Sequence, residues 1–252
     1  MTISNEGETD AVNTAPIMPL SKVGTSAASL VTGPIPASVT ITAGSSESFT
    51  FIYQASAIPG TLAYNGKVQG FDARTGMVYN SVTDTSNTVM VESPAVLVSE
   101  MRIIGPSTVN TGQLVTVVMR VTNTGAADAV NVSPNNIFAT SASTGGMIPV
   151  EPPVAPLTVS GTASGGTNTA EFTWVYSAAG TGTSAFSCNV TGYDENSGNA
   201  VISAMDESNY VTIQVPAAII ASINAAPSYL GTGSYITVVM EVVNIGLSLI
   251  HI

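Results

Sequence analysis

The chain has 252 residues, 44% hydrophobic and only 8% charged, with a formal charge of −11 and five basic residues: Lys22, Lys67, Arg74, Arg102 and Arg120. That length suggests one or two domains. Neutralising phosphates needs clustered Lys and Arg, so nucleic acid and anionic membrane surfaces are poor partners. The single cysteine, Cys188, excludes an intrachain disulfide and any zinc site built on several thiolates, and leaves the redox compartment open.

No apolar run reaches the ~18 to 20 residues that span a bilayer. The first ten residues, MTISNEGETD, have neither a basic start nor an apolar stretch, so no signal peptide is visible. Val, Ile and Thr alternate along the chain without a sustained 3.6-residue stripe, which predicts an all-β fold.

Read in chain order, the elements repeat. ISNEGETDAVN at 3–13 resembles VTNTGAADAVN at 121–131, an offset of 118, which aligns Met1 with Met119. FTFIY at 49–53 resembles FTWVY at 172–176, 123 residues on, and GFDARTG at 70–76 resembles GYDENSG at 192–198, 122 residues on. Pro94 matches Pro216, and PSTVNTGQLVTVVMRVTNTG at 106–125 matches PSYLGTGSYITVVMEVVNIG at 227–246, 121 residues on. Ordered anchors at nearly constant spacing mark a repeat of about 120 residues. The expected division is a partial repeat lacking its first strands at 1–93, a complete repeat at 94–215, and the first two strands of a third at 216–246.

The last six residues, Leu247 to Ile252, break the repeat. They resemble the translation of a common transposase sequencing adapter, which points to read-through in a metagenomic fragment; a genuine terminal strand is the competing reading.

Within the complete repeat, strands are predicted at 95–104, 113–122, 128–133, 156–161, 170–177, 183–193, 198–204 and 209–215. Seven or eight short strands separated by Gly-containing turns such as Asn123-Thr124-Gly125 and Asn196-Ser197-Gly198 fit an immunoglobulin-like β-sandwich. The proline stretches Pro34 to Pro36 and Pro149 to Pro156 suit an edge strand or a crossover between sheets. The junctions at Pro94 and Pro216 have almost no linker, so neighbouring repeats are expected to be stiffly coupled.

Candidate chemistry is sparse. The only histidine, His251, lies in the adapter-like tail, so a catalytic base with the usual partners is missing, and no catalytic residue is assigned. Cys188 alternates with Phe186 and Val190 and reads as a buried small hydrophobe rather than a reactive thiol; its counterpart is Gly66. Two close carboxylate pairs occur in the complete repeat, Asp194-Glu195 and Asp206-Glu207. A solvated hairpin is the plainer reading. Calcium, if it binds, is expected at Asp194, Glu195 and Asp206, although no D-x-D-x-D-G loop is present. No other cofactor is expected. Two sequons, Asn131-Val132-Ser133 and Asn189-Val190-Thr191, carry little weight in a chain so rich in Asn, Ser and Thr. The row Phe172, Trp174 and Tyr176 shares one strand face and is expected in the core; an open platform that stacks sugar rings is the alternative.

The stretch VTVVMRVTNTGAADAVNV resembles the bacterial and archaeal cell-adhesion-related (CARDB-like) domain, with its V-x-V-x-N-x-G strand and turn followed by an Ala/Val/Asn strand. The match recurs at Asn5-Glu6-Gly7, Asn123-Thr124-Gly125 and Asn244-Ile245-Gly246. The resemblance implies an immunoglobulin-like sandwich in a large secreted or surface-anchored protein, with no catalytic residues to carry over. The expected function is a non-enzymatic stalk, spacer or adhesive region, extracellular or at the cell surface, contacting neighbouring repeats and cell-surface or extracellular glycan or protein ligands. The alternative is a glycan- or calcium-binding accessory module of a secreted polysaccharide-active enzyme.

Overall fold

The computed structural model describes residues 1–246; the adapter-like segment and His251 lie outside the described residues. The chain is all-β and divides into two compact units, Met1–Ser93 and a second that begins at Pro94.

The second unit holds a β-sandwich. One face is the antiparallel sheet of Leu97–Ile104, Leu114–Asn123, Thr169–Ala178 and Met147–Glu151, in that order. Opposite it lie Leu157–Val159, Ala129–Pro134, Val190–Asp194 and Ala200–Ile202. Two three-stranded sheets complete the structure. One joins Phe138–Ala139, Phe186–Cys188 and Asp206–Glu207, and the other joins Thr108–Asn110, Val211–Gln214 and Gly182–Ser184.

Strand alternation explains the core. Val115, Val117, Met119 and Val121 are buried beside Phe172, Trp174 and Tyr176 on the paired strand, and from the other side come Val132, Val159, Cys188, Val190 and Ile213. Each such aliphatic or aromatic side chain contributes roughly 1.5–3 kcal/mol when fully buried.

Two details depart from the predicted strands. The run expected at 183–193 is three short strands that change sheet, because Ser208 and Ser203 interrupt the ladder. Their hydroxyls accept from the amides of Phe186 (2.9 Å) and Val190 (3.0 Å). The proline stretch after Met147 is both edge and crossover: Met147–Glu151 closes one sheet at its edge, and Leu157–Val159 pairs in the opposite sheet. Pro149 is tolerated there because an edge strand needs fewer N–H donors.

The first unit uses the same pairings. Ala11 faces Ile41 and Asp72 as Ala129 faces Val159 and Asp194, and Thr2 faces Ser48 as Arg120 faces Glu171. Both central strands bulge at the same place, where Asn13 (φ 48°) and Asn131 (φ 53°) adopt the left-handed conformation that Asn tolerates better than most residues. The core of this unit is smaller and contains Ile41, Phe49, Leu62, Ala63 and Val68. Its strand Thr50–Ala55 pairs only with Ala28–Ile35 among the described residues, and Thr2–Ser4 pairs with Ser46–Ser48, extended at its two ends by hydrogen bonds between Met1 and Phe49 and from the Asn5 amide to the Ser45 carbonyl.

Beyond Val211–Gln214, Ile219–Ala226 and Thr237–Asn244 form an antiparallel hairpin. Its pairing, from Ile219 with Asn244 to Ala226 with Thr237, matches that of Leu97 with Asn123 to Ile104 with Thr116.

Candidate functional site

Of the three residues singled out for calcium, Asp194 and Asp206 accept from protein donors and Glu195 points out of its turn, and they form no cluster placed to hold a metal. Asp194 is only 2% exposed. One of its oxygens accepts from the Ala95 amide at 2.7 Å, and the other accepts from the Ser197 amide at 2.7 Å and the Ser197 hydroxyl at 2.8 Å. Burial pushes its pKa up, but these hydrogen bonds outweigh burial and leave the carboxyl below its ordinary value. Asp206 accepts from the Met101 amide at 2.6 Å on a different sheet. Glu195 is exposed in the turn, its amide donating to the Asp128 carbonyl. Among the described residues, no group of three or more His, Cys, Asp or Glu is placed to hold a metal.

The aromatic row is core. Phe172 is 0% exposed and Trp174 and Tyr176 are 6% exposed, and Tyr176 packs its ring 4.5 Å from that of Phe186. The edges of Trp174 and Tyr176 reach a cavity of about 450 Å³ that Phe186, Met147, Pro149 and Glu151 also line, but the rings present no exposed platform on the surface. Cys188 is buried, and desolvation raises its pKa, which suppresses the thiolate that reactivity requires. Of the two sequon asparagines, Asn131 occupies the bulge, and Asn189 donates to the Ser203 carbonyl at 3.3 Å.

What the polar residues build is a set of latches for a strand. Asn123, fully buried, uses its whole amide: Oδ1 accepts from Val96 and Gly125 (3.0 Å each), and Nδ2 donates to the carbonyls of Ala127 (2.8 Å) and Val159 (3.1 Å). Gly125 is required beside it, because a Cβ there would run into the Pro94 carbonyl. The Asn-x-Gly signature is therefore a corner lock that fixes where the leading strand enters.

Further along, Asp206 takes the Met101 amide, Asn209 takes the Ile103 amide at 2.8 Å, and the Ser99 hydroxyl donates to the Ala204 carbonyl at 3.0 Å. Ladder amides of one strand are thus received by side chains of the segment Ser203-Ala204-Met205-Asp206-Glu207-Ser208-Asn209. Sequence reasoning missed this latch. Its signal was present, because S-x-x-D-x-S-N recurs 122 residues apart at Ser81, Asp84, Ser86 and Asn87.

In the first unit the latch residues stand without that strand. Asn5 donates to Thr9 (2.8 Å) and Ile41 (3.0 Å) and accepts from Gly7 (3.1 Å), as Asn123 does with its counterparts. Ser81 and Ser86 accept from Val68 and Tyr64, both at 3.0 Å, as Ser203 and Ser208 accept from Val190 and Phe186. Where Leu97–Ile104 would lie, there is a groove of about 430 Å³ lined by Ile3, Asn5, Asp10, Asp72, Tyr79 and Ser81 among others. Asp72 caps its turn through the Arg74 and Thr75 amides and the Thr75 hydroxyl, and also receives the Thr9 hydroxyl. The Thr9 hydrogen bond, followed by those from Thr75, holds its carboxyl down at about 2.

No helix among the described residues is long and apolar enough to cross a membrane. Comparison with protein-family models and with curated proteins finds no match for this chain.

Proposed function

We propose that the chain is a non-catalytic structural or adhesive region, a stalk or spacer, of a large secreted or surface-anchored prokaryotic protein. Its natural contacts are neighbouring repeats and, at the surface, extracellular glycan or protein ligands. The observation that carries this reading is the use made of the polar side chains. Asn123, Asp194, Ser203, Ser208, Asp206 and Asn209 bind backbone groups that locate strands, and the same residue types stand at the equivalent positions of the first unit. Residues of the kind that elsewhere build sites are here committed to holding chain corners. The Asn-x-Gly lock also gives the cell-adhesion-like resemblance a physical reason, since the resembling residues are the ones that set the strand entry.

The accessory-module alternative would draw on the aromatic row and on Asp194, Glu195 and Asp206. Burial of the rings and the protein donors around Asp194 and Asp206 weigh against it. Small-angle scattering of the dilute chain tests the stalk directly: the expected result is an elongated profile, and a compact isotropic one would overturn it. Calorimetric titration with calcium and with oligosaccharides, expected to be silent, tests the alternative.

A further inference from the structure

We propose that the second unit holds a binding site for a small, neutral, largely apolar molecule that offers a carbonyl or ether oxygen, in the cavity beside Trp174 and Tyr176. This does not depend on whether the region serves as a stalk.

The cavity follows from how two sheets end. Met147–Glu151 is the edge strand of one sheet, and Phe138–Ala139 is the edge strand of the sheet that carries Phe186–Cys188. Pro149 pairs with Tyr176 in the first, and Ala139 pairs with Phe186 in the second. Both edges close poorly. The register of Met147–Glu151 shifts between Pro149 and Glu151, and Phe138–Ala139 is only two residues long. Residues of both edges line the cavity of about 450 Å³, within the range of about 300–1,000 Å³ that takes small ligands. Its whole lining comes from residues between 137 and 186, in the interior of the chain.

The cavity has a buried floor and an exposed mouth. Trp174, Tyr176, Ser184 and Phe186 are buried, whereas Pro149, Val150 and Glu151 are exposed. A ligand can therefore reach the core rings from solvent.

The lining specifies the chemistry of that ligand. Phe186, Met147 and Pro149 supply apolar walls. Two polar groups are unspent. Neither the indole N–H of Trp174 nor the hydroxyl of Tyr176 has a hydrogen-bond partner among the described residues, although buried Trp and Tyr usually find one. They are not sealed in, because the Tyr64 hydroxyl is the only fully enclosed side-chain polar atom without a partner among the described residues. The indole N–H can only donate, so the ligand must accept. Burial pushes the Tyr176 phenol up from its ordinary value, which keeps it neutral and able to donate as well. The Ser184 hydroxyl is already committed, donating to the Gly145 carbonyl at 3.1 Å.

Charge narrows the choice further. Glu151 is the only charged residue in the lining, and the chain has no Lys or Arg beyond Arg120. An anion would meet Glu151 with no counter-charge. A cation could pair with Glu151 but would leave the indole N–H facing another donor. A neutral acceptor suits both. Nor is the indole needed to build the repeat, since Phe51 stands at the equivalent position of the first unit.

The test uses the full chain labelled with nitrogen-15, in which Trp174 is the sole tryptophan and gives the sole indole cross-peak. The probes are 2-acetonaphthone, 2-isopropylnaphthalene, which has the same outline without the acceptor, and 2-naphthoate, an anion of the same size. The ketone should move the indole peak downfield and saturate. The hydrocarbon should bind about five- to tenfold more weakly, the worth of one net hydrogen bond, and naphthoate should leave the peak in place. Tyr176→Phe, which keeps the ring, should narrow the gap between ketone and hydrocarbon. Glu151→Lys, at an exposed position, should admit naphthoate. An indole peak unmoved by the ketone up to its solubility would overturn the inference. So would a hydrocarbon or a naphthoate that binds the unaltered chain as tightly as the ketone does. Should Tyr176→Phe lose its fold by circular dichroism, the ranking of the three probes and the response of Glu151→Lys still decide.

Discussion

The first and second units carry equivalent latches and aromatic rows, yet their aromatic strands live in different surroundings. Phe172, Trp174 and Tyr176 lie on a strand flanked in its sheet by Leu114–Asn123, whereas in the first unit only Phe49 of the row is fully buried and Phe51 and Tyr53 are half-exposed. Tyr53 instead stacks on Tyr64, 4.3 Å between ring centroids. Local pattern is the same in both; burial differs with the strands that flank each row among the described residues. Core membership here is a property of the completed sheet and not of the strand alone.

The largest effect that can break or sharpen this comparison is truncation of matched aromatics. Trp174→Ala should cost the second unit about 3–5 kcal/mol, as for other buried large-to-Ala changes. Phe51→Ala should cost the first unit clearly less. Calorimetric unfolding of the two variants measures both, and equal losses would mean that the rows are equally covered.

A smaller difference is expected between the two turn aspartates. Asp194→Ala leaves the buried Ala95 amide without its acceptor, a loss of about 1–3 kcal/mol for an unsatisfied buried group. Asp72→Ala removes only turn caps and the Thr9 contact, so its effect should be smaller. Denaturant unfolding followed by fluorescence reads the first case cleanly, since Trp174 is the sole tryptophan and sits in the unit that Asp194 latches.

The smallest effect is acid sensitivity. Both carboxyls titrate below the ordinary value, so the stability they contribute is fully present above the unfolded carboxyl pKa of about 3.9 and is lost as pH falls through the folded values. For Asp72 that value is about 2. The thermal midpoint reported by Trp174 should stay level down to about pH 4 and fall below it. Asp194→Asn should flatten that fall.

Much of the architecture was legible because period-two alternation and Gly-containing turns are local signals. Val115, Val117, Met119 and Val121 read as one face and pack as one. The run at 183–193 was not legible as three strands, because what breaks it is the hydroxyls of Ser203 and Ser208, distant in sequence. Nor were the short strands Phe138–Ala139 and Asp206–Glu207, too brief to show a period. Asn131 matched a glycosylation pattern, and its structural role is to turn the backbone left-handed at a bulge that only the pairing reveals. The acidic pairs were visible as charges. Their partners, amides of strands roughly a hundred residues away, were not.

One pairing carries a mechanical consequence. Thr108–Asn110 runs parallel to Val211–Gln214, joining an early strand of the sandwich in the second unit to its last one. If that sandwich is pulled from its two ends, tension runs along these strands in opposite directions. Their hydrogen bonds are then loaded together in shear instead of opening one after another, and this seam becomes the place where the sandwich resists extension.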